Sequence, residues 1–233
     1  MILSVHQPQY LPWLGFFDKI RQSDCFVYLD QVQYKEREYQ NRNRVRTKEG
    51  WMWLTVPVKS TGLGRQCIRS VEVDNSSDWA KKHLASLEKC YNRAPFFKEH
   101  YQFLEEVYTT RWEKLVDLNI KITGYLLEQF KITTPVKMES SVGTTSLSTG
   151  RIIELCLALK ADTYLSGTGG KDYLEEEKFS QAGIRLEYQQ FAHPRYQQVY
   201  AATQDEFMPN MAAVDLLFNE GERSQSILLH RKV

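Results

Sequence analysis

The chain of 233 residues carries 30 Lys and Arg against 29 Asp and Glu, a formal net charge of +1, with hydrophobic residues at 42% and charged residues at 25%. This is ordinary globular usage, long enough to bury a sizeable core, and it excludes a whole-chain field that would draw nucleic acid or an acidic membrane surface. No run approaches the roughly 18 consecutive apolar residues of a spanning helix, and the start Met-Ile-Leu-Ser-Val-His-Gln-Pro has no basic leader before an apolar stretch, so neither an integral membrane segment nor a signal peptide is expected.

Cys25, Cys67, Cys90 and Cys156 are well separated and form no C-x-x-C pair. They read as thiols in a reducing, cytoplasmic setting rather than as a disulfide framework or a zinc site. Neither a metal nor a resident cofactor is expected. The 13 Tyr, 11 Phe and 5 Trp are unusual in their placement, many sitting among polar residues, as in Gln33-Tyr34, Glu38-Tyr39-Gln40 and Arg195-Tyr196-Gln197. Such interleaving suits a groove that stacks on a ring and bonds its edges, and equally suits half-exposed edge strands.

Ile2 to Val5 reads as a short buried strand, and Gln7-Pro-Gln-Tyr-Leu-Pro12 as a loop held open by two prolines. From Trp13 the spacing Trp13, Phe16, Phe17, Ile20 is helical, and Cys25 to Asp30 reads as a second strand. Strand, loop, helix and strand within thirty residues form a βαβ unit, which predicts parallel pairing. Residues 31–58 read as extended or hairpin structure with a turn at Gly50, and 59–65 as a mobile glycine-containing loop. Three helical stripes follow: Ala80, Leu84, Leu87, Tyr91; then Phe97, Tyr101, Leu104, Tyr108; then Leu115, Leu118, Ile122, Leu126. After Pro135 the alternation resumes, with a helix over 152–159, a strand over 163–165, a glycine turn over 167–170, a helix over 172–182, a strand over 184–188 and a closing helix over 211–219. The predicted fold is α/β: one domain over 1–233 built on an open, largely parallel Rossmann-like sheet, with a helical insertion at about 76–132 and an added antiparallel or extended segment.

In such sheets ligands bind beyond the carboxyl ends of strands, and three ends carry candidate chemistry. The first is His6, with Gln7, Tyr10, Trp13 and Gly15 on a rigid loop leading to a helix start; an anion beside an imidazole fits there, and so does a histidine that only caps the loop. The second is Asp30, which can orient an imidazole or bind a hydroxyl, or serve as a turn residue. Beyond it lies Gln40-Asn-Arg-Asn-Arg-Val-Arg46, where an extended chain places Arg42, Arg44 and Arg46 on one face and Asn41, Asn43 and Val45 on the other. A row of guanidiniums can clamp a diphosphate, or guard an edge strand against aggregation.

The third end is Tyr164-Leu-Ser-Gly-Thr-Gly-Gly-Lys-Asp172. Ser166, Gly167, Gly169, Gly170 and Lys171, with Tyr173 just beyond, form a strand-to-helix turn able to cradle a phosphate or ribose, or a plain turn. It fails the P-loop pattern, with Leu165 at the first glycine position and Asp172 in place of Ser/Thr, and it fails G-x-G-x-x-G. His193, after the next strand, is a candidate second imidazole. There is no H-E-x-x-H and no G-x-S-x-G.

His6-Gln-Pro-Gln-Tyr-Leu-Pro-Trp-Leu-Gly-Phe-Phe-Asp-Lys-Ile20, Leu29-Asp-Gln-Val-Gln-Tyr34, Gln40-Asn-Arg-Asn-Arg44 and Trp53-Leu-Thr-Val-Pro57 together resemble the WbqC-like family. Tyr164-Leu-Ser-Gly167, His193-Pro194 and Asp215-Leu-Leu-Phe-Asn219 extend the resemblance over nearly the whole chain. It implies a group transferase of surface-polysaccharide (O-antigen) assembly, with glycyl transfer to a sugar suggested for the family. The implied partner is a small-molecule or lipid-linked sugar substrate, activated by a nucleotide or otherwise. A more distant similarity, strand then P-x-x-x-P-W-L-G then helix, is to nucleotidyltransferases carrying H-x-G-H there; neither histidine of that motif is present. The alternatives are non-catalytic recognition of a nucleotide or sugar by the same residues, and a divergent nucleotidyltransferase-like enzyme that lacks the H-x-G-H motif.

Overall fold

The structure is a computed structural model that describes residues 1–229. In chain order its elements are β1 (Ile2–His6), α1 (Leu14–Arg21), β2 (Cys25–Tyr28), β3 (Arg42–Thr47), β4 (Gly50–Thr55), α2 (Trp79–Tyr91), α3 (Phe97–Thr109) and α4 (Leu115–Gln129). Then follow β5 (Val136–Met138), α5 (Ser148–Ala158), β6 (Thr163–Ser166), α6 (Glu176–Gln181), β7 (Arg185–Tyr188), α7 (Val214–Glu220) and α8 (Ser224–Leu228). They fall into two compact units: one of residues 1–8, 15–32 and 132–192, the other of residues 9–14, 33–131 and 193–233.

The first unit is an open five-stranded sheet in the order β5-β2-β1-β6-β7, with every neighbouring pair parallel. The inner strands are short unbroken apolar runs because helices cover both faces of a parallel sheet. On one face Leu3, Val5, Val27, Leu155, Cys156, Tyr164 and Phe179 form a buried cluster. Phe16 of α1 meets Phe26 edge to face with ring centroids 5.5 Å apart. Numbered along the chain, the sheet's strands run 3-2-1-4-5, the first five positions of the 3-2-1-4-5-6 doubly wound order, so the winding reverses between β1 and β6. The edge strand β5 gives little sequence signal: it is three residues long, and Val136 and Lys137 are exposed.

The second unit holds the antiparallel hairpin β3–β4, with Arg44 opposite Trp53 and Thr47 opposite Gly50. Gly50, at φ 148°, closes it, a conformation that L side chains rarely adopt. In α4 the expected stripe is the buried one, but in α2 it is displaced. Trp79, His83, Leu87 and Cys90 are buried there, while Ala80 and Leu84 are half-exposed. The large rings decide the rotation: Trp79, His83 and Tyr108 pack with centroids 5.3–6.2 Å apart. The last helices are also shifted, α7 starting three residues later than the spacing predicts and α8 following it. Between them Gly221 has φ 52°, and a Cβ on it would lie 2.4 Å from the Phe96 ring. Among the described residues no helix is long and apolar enough to cross a membrane.

Candidate functional site

Where the winding reverses between β1 and β6, the chains diverge and leave a crevice at the carboxyl edge of the sheet. A pocket of about 260 Å³ occupies it, lined by Val5, His6 and Gln7 from β1, Lys19 from α1, Leu29 after β2, and Tyr164, Ser166, Gly167, Gly169, Gly170 and Tyr173 from β6 and the turn beyond. His6, Gln7 and the glycine turn, expected at separate strand ends, are thus brought together. Gly170 is required there by close approach, since a Cβ on it would meet Ser166 Oγ at 2.0 Å and Leu174 Cδ1 at 2.9 Å. Lys171 lies outside the lining and sits 5.2 Å over the Tyr188 ring.

His6 ends β1 half-buried, its ring 5.3 Å from Phe16. Its Nδ1 lies 3.0 Å from the Gln7 carbonyl oxygen. A carbonyl only accepts, so Nδ1 carries the proton and Nε2 keeps its lone pair. Burial above all, then the Lys19 charge, pushes the imidazole down to about 3, so it is neutral at physiological pH.

Lys19 is almost fully buried and donates from Nζ to the Val5 carbonyl at 3.0 Å. Burial pushes its ammonium down to about 7. Among the described residues no carboxylate forms an ion pair with it. Its helix is held in place by Gln189, whose Nε2 donates to Gly15 O at 2.9 Å and to Asp18 Oδ2 at 2.7 Å. Sequence spacing missed Lys19, although a signal was present. It stands three residues after Phe16 on the apolar stripe of α1, where a charged side chain faces inward.

Asp30 is buried at the end of the β2 segment and accepts from the Ser140 amide at 2.9 Å. Beside Ser140 along the chain, Glu139 pairs with Arg151 at 2.7 Å and accepts from Thr144 at 2.6 Å. The Asp30–Ser140 bond joins the ends of β2 and β5.

A model of the WbqC-like protein family matches residues 7–227. The chain belongs to the WbqC-like family. It is also 32% identical over 228 residues to an uncharacterized protein of Mycobacterium tuberculosis, Rv1507c, covering 97% of this chain and 96% of that one. No solved structure matches it.

The family's opening signature is divided: His6 to Pro8 belong to the sheet unit, and Gln9 to Leu14 to the other. In that second unit Tyr10 is fully buried, its hydroxyl 2.8 Å from His83 Nδ1 and 2.5 Å from Tyr108. Leu11 has φ 46°, unusual for a branched residue before proline, and Asn43 holds it by donating to its carbonyl at 2.6 Å. Trp13 bridges to Ala212. Asn41 likewise donates to Val56 O, while Gln40 accepts from the Lys35 amide. Tyr34 is buried, and burial pushes its phenol up to about 12; Gln33 is exposed beside the Cys67 bridge. The amide side chains of the 40–44 segment therefore bind the protein's own backbone.

Arg42 and Arg44 share a face as the alternation predicts, and both lie over rings: Arg42 4.3 Å above Trp53, Arg44 5.2 Å from Trp51. Arg46 departs from the row. It is buried and donates to the carbonyls of Thr47 and Gly50 at 2.8 Å each, because at the hairpin's end its side chain reaches the turn's free acceptors. His193 sits half-buried beside Phe207, its Nδ1 2.8 Å from Pro194 O.

Proposed function

We propose that the chain is a group transferase of surface-polysaccharide assembly, which holds the phosphate-bearing end of an activated donor in the switch-point pocket. The observation that carries this reading is the meeting of a neutral, oriented imidazole with a buried lysine and a glycine turn at the carboxyl edge of a 3-2-1-4-5 sheet. Family membership supports the surface-glycan context.

In this reading His6 Nε2 accepts the proton of an acceptor hydroxyl or amine as that atom attacks the donor group. The bond from donor group to phosphate breaks, and its electron pair leaves with the phosphate. A neutral imidazole at about 3 is a weak base, and an anion in the pocket strengthens it by pairing with the imidazolium. The base is thus activated by the substrate it serves. The acceptor is a sugar, free or lipid-linked, with an aminoacyl group as one candidate cargo.

The test is release of nucleotide from a panel of sugar nucleotides and activated amino acids, each offered with sugar acceptors. Turnover by the wild-type protein with a loss of about 100-fold or more in His6→Ala is expected, the range general-base removal produces. Ligands that bind across the panel without any being consumed would leave a recognition module instead.

A further inference from the structure

We infer that Lys19 is the counter-charge for a phosphate group seated in the switch-point pocket, and that it makes this pocket select phosphate over carboxylate. The inference deepens the transferase reading, on which it rests only for placing the donor there.

A buried cation without a carboxylate is costly, and proteins keep such groups where something outside the fold completes them. Lys19 is 4% exposed, lines the pocket, and spends one of its three donors on Val5 O. Its Nζ lies 3.7 Å from the point where a Cβ on Gly167 would sit, so the bare backbone of the turn comes close to the ammonium. Among the described residues lining the pocket there is no arginine. Planar bidentate capture of a carboxylate is the task of arginine, whereas lysine binds phosphate as a point charge. The volume, about 260 Å³, falls below the roughly 300 Å³ at which whole small-molecule sites begin. It suits a phosphate head with the remainder of the donor extending outward.

Proton balance follows from the same arrangement. The other titratable groups lining the pocket are His6, held neutral by burial, and the Tyr164 and Tyr173 phenols, which burial pushes up. Only Lys19, down to about 7, changes charge near pH 8, so an arriving anion draws a proton onto it.

The probe is methyl phosphate at pH 8, where a phosphate ester is already fully ionised, with acetate as the comparison. Calorimetry of the full chain in two buffers of different ionisation enthalpy reads both affinity and protons taken up. Proton uptake with methyl phosphate is expected in the wild type, with acetate bound more weakly. Lys19→Met should weaken methyl phosphate roughly tenfold to a hundredfold and abolish the uptake. Its unliganded Tm should stay level or rise, because a near-isosteric swap removes a buried amine that burial holds well below its ordinary lysine value.

Equal affinity and uptake in Lys19→Met would overturn the inference, as would a lowered Tm with binding intact, the mark of a residue that merely braces β1. Acetate binding as tightly as methyl phosphate would overturn the selectivity, and that comparison needs no variant. Nucleotide release by a wild-type protein that ignores methyl phosphate would sink Lys19's role and leave the transferase reading standing. Failure of both sinks both.

Discussion

Two sets of buried polar groups in this chain differ in what satisfies them. In the second unit Asp215 is fully buried, and its carboxylate accepts from Tyr91 at 2.8 Å, Tyr196 at 2.6 Å and Gln198 at 2.7 Å. Tyr91 in turn accepts from the Arg46 amide, so the network closes on itself. At the carboxyl edge of the first unit, Lys19 has a single carbonyl partner, and His6 keeps an acceptor beside a void. The closed network specifies a fold, whereas the open one has bonding capacity to offer a ligand. Burial alone does not separate the two; spare valence next to empty space does.

Asp215→Ala breaks the closed network and should have the largest effect. It strands two phenols and an amide away from water, and breaking a buried charged network costs about 3–5 kcal/mol. Burial pushes the Asp215 carboxyl up, so the folded state holds its proton more tightly than the unfolded chain. That contribution to stability falls as pH rises through the window above the ordinary carboxylate value, and in Asp215→Ala it disappears. Urea melts of both proteins across that window check the size and the slope together. A loss under about 1 kcal/mol would mean that the network is not a unit.

Gly170→Ala acts on the open side. The new methyl would meet Ser166 Oγ at 2.0 Å and Leu174 Cδ1 at 2.9 Å, so the Ser166 and Leu174 side chains or the turn itself must shift. Overpacking of this kind costs about 1–3 kcal/mol, less than the Asp215 change, yet its functional cost should be greater. Methyl phosphate binding should be lost while far-UV dichroism stays native. Binding retained at wild-type strength would show that the turn does not shape the pocket.

The difference between the regions also explains what was legible in the sequence. The parallel sheet was, because β1, β2 and β6 are short apolar runs with turn residues at their ends, and a βαβ unit admits essentially one handedness. So was the alternation that puts Arg42 and Arg44 on one face. Strand order was not, since nothing local says that β6 rather than β5 lies beside β1, and the meeting of His6 with Ser166 depends on that long-range choice. Lys19 was missed because helical spacing was used to find the apolar face and not to ask which charge stood on it. The fates of Arg46 and Asn43 were out of reach too. Asn43 finds its carbonyl on a loop 32 residues away, and Arg46 finds its acceptors only because the turn after β3 folds back on the side chain.

The smallest effect is expected on the hairpin, which belongs to neither class. Arg42 lies over Trp53, and Trp51 stands at 44% exposure, so the stacked face has water on one side. Cation–π contacts at exposed sites contribute about 0.5–1 kcal/mol, and a double-mutant cycle of Arg42→Ala with Trp53→Ala should return a coupling in that range. A coupling above about 2 kcal/mol would place the pair among desolvated contacts and move the hairpin into the closed class. The same Arg42→Ala protein, run in the nucleotide-release assay, sharpens the comparison further. Stacked guanidiniums are already engaged by the protein, so release unchanged beyond the stability cost keeps them structural. A loss out of proportion to it would give the hairpin face a part in turnover beyond stability.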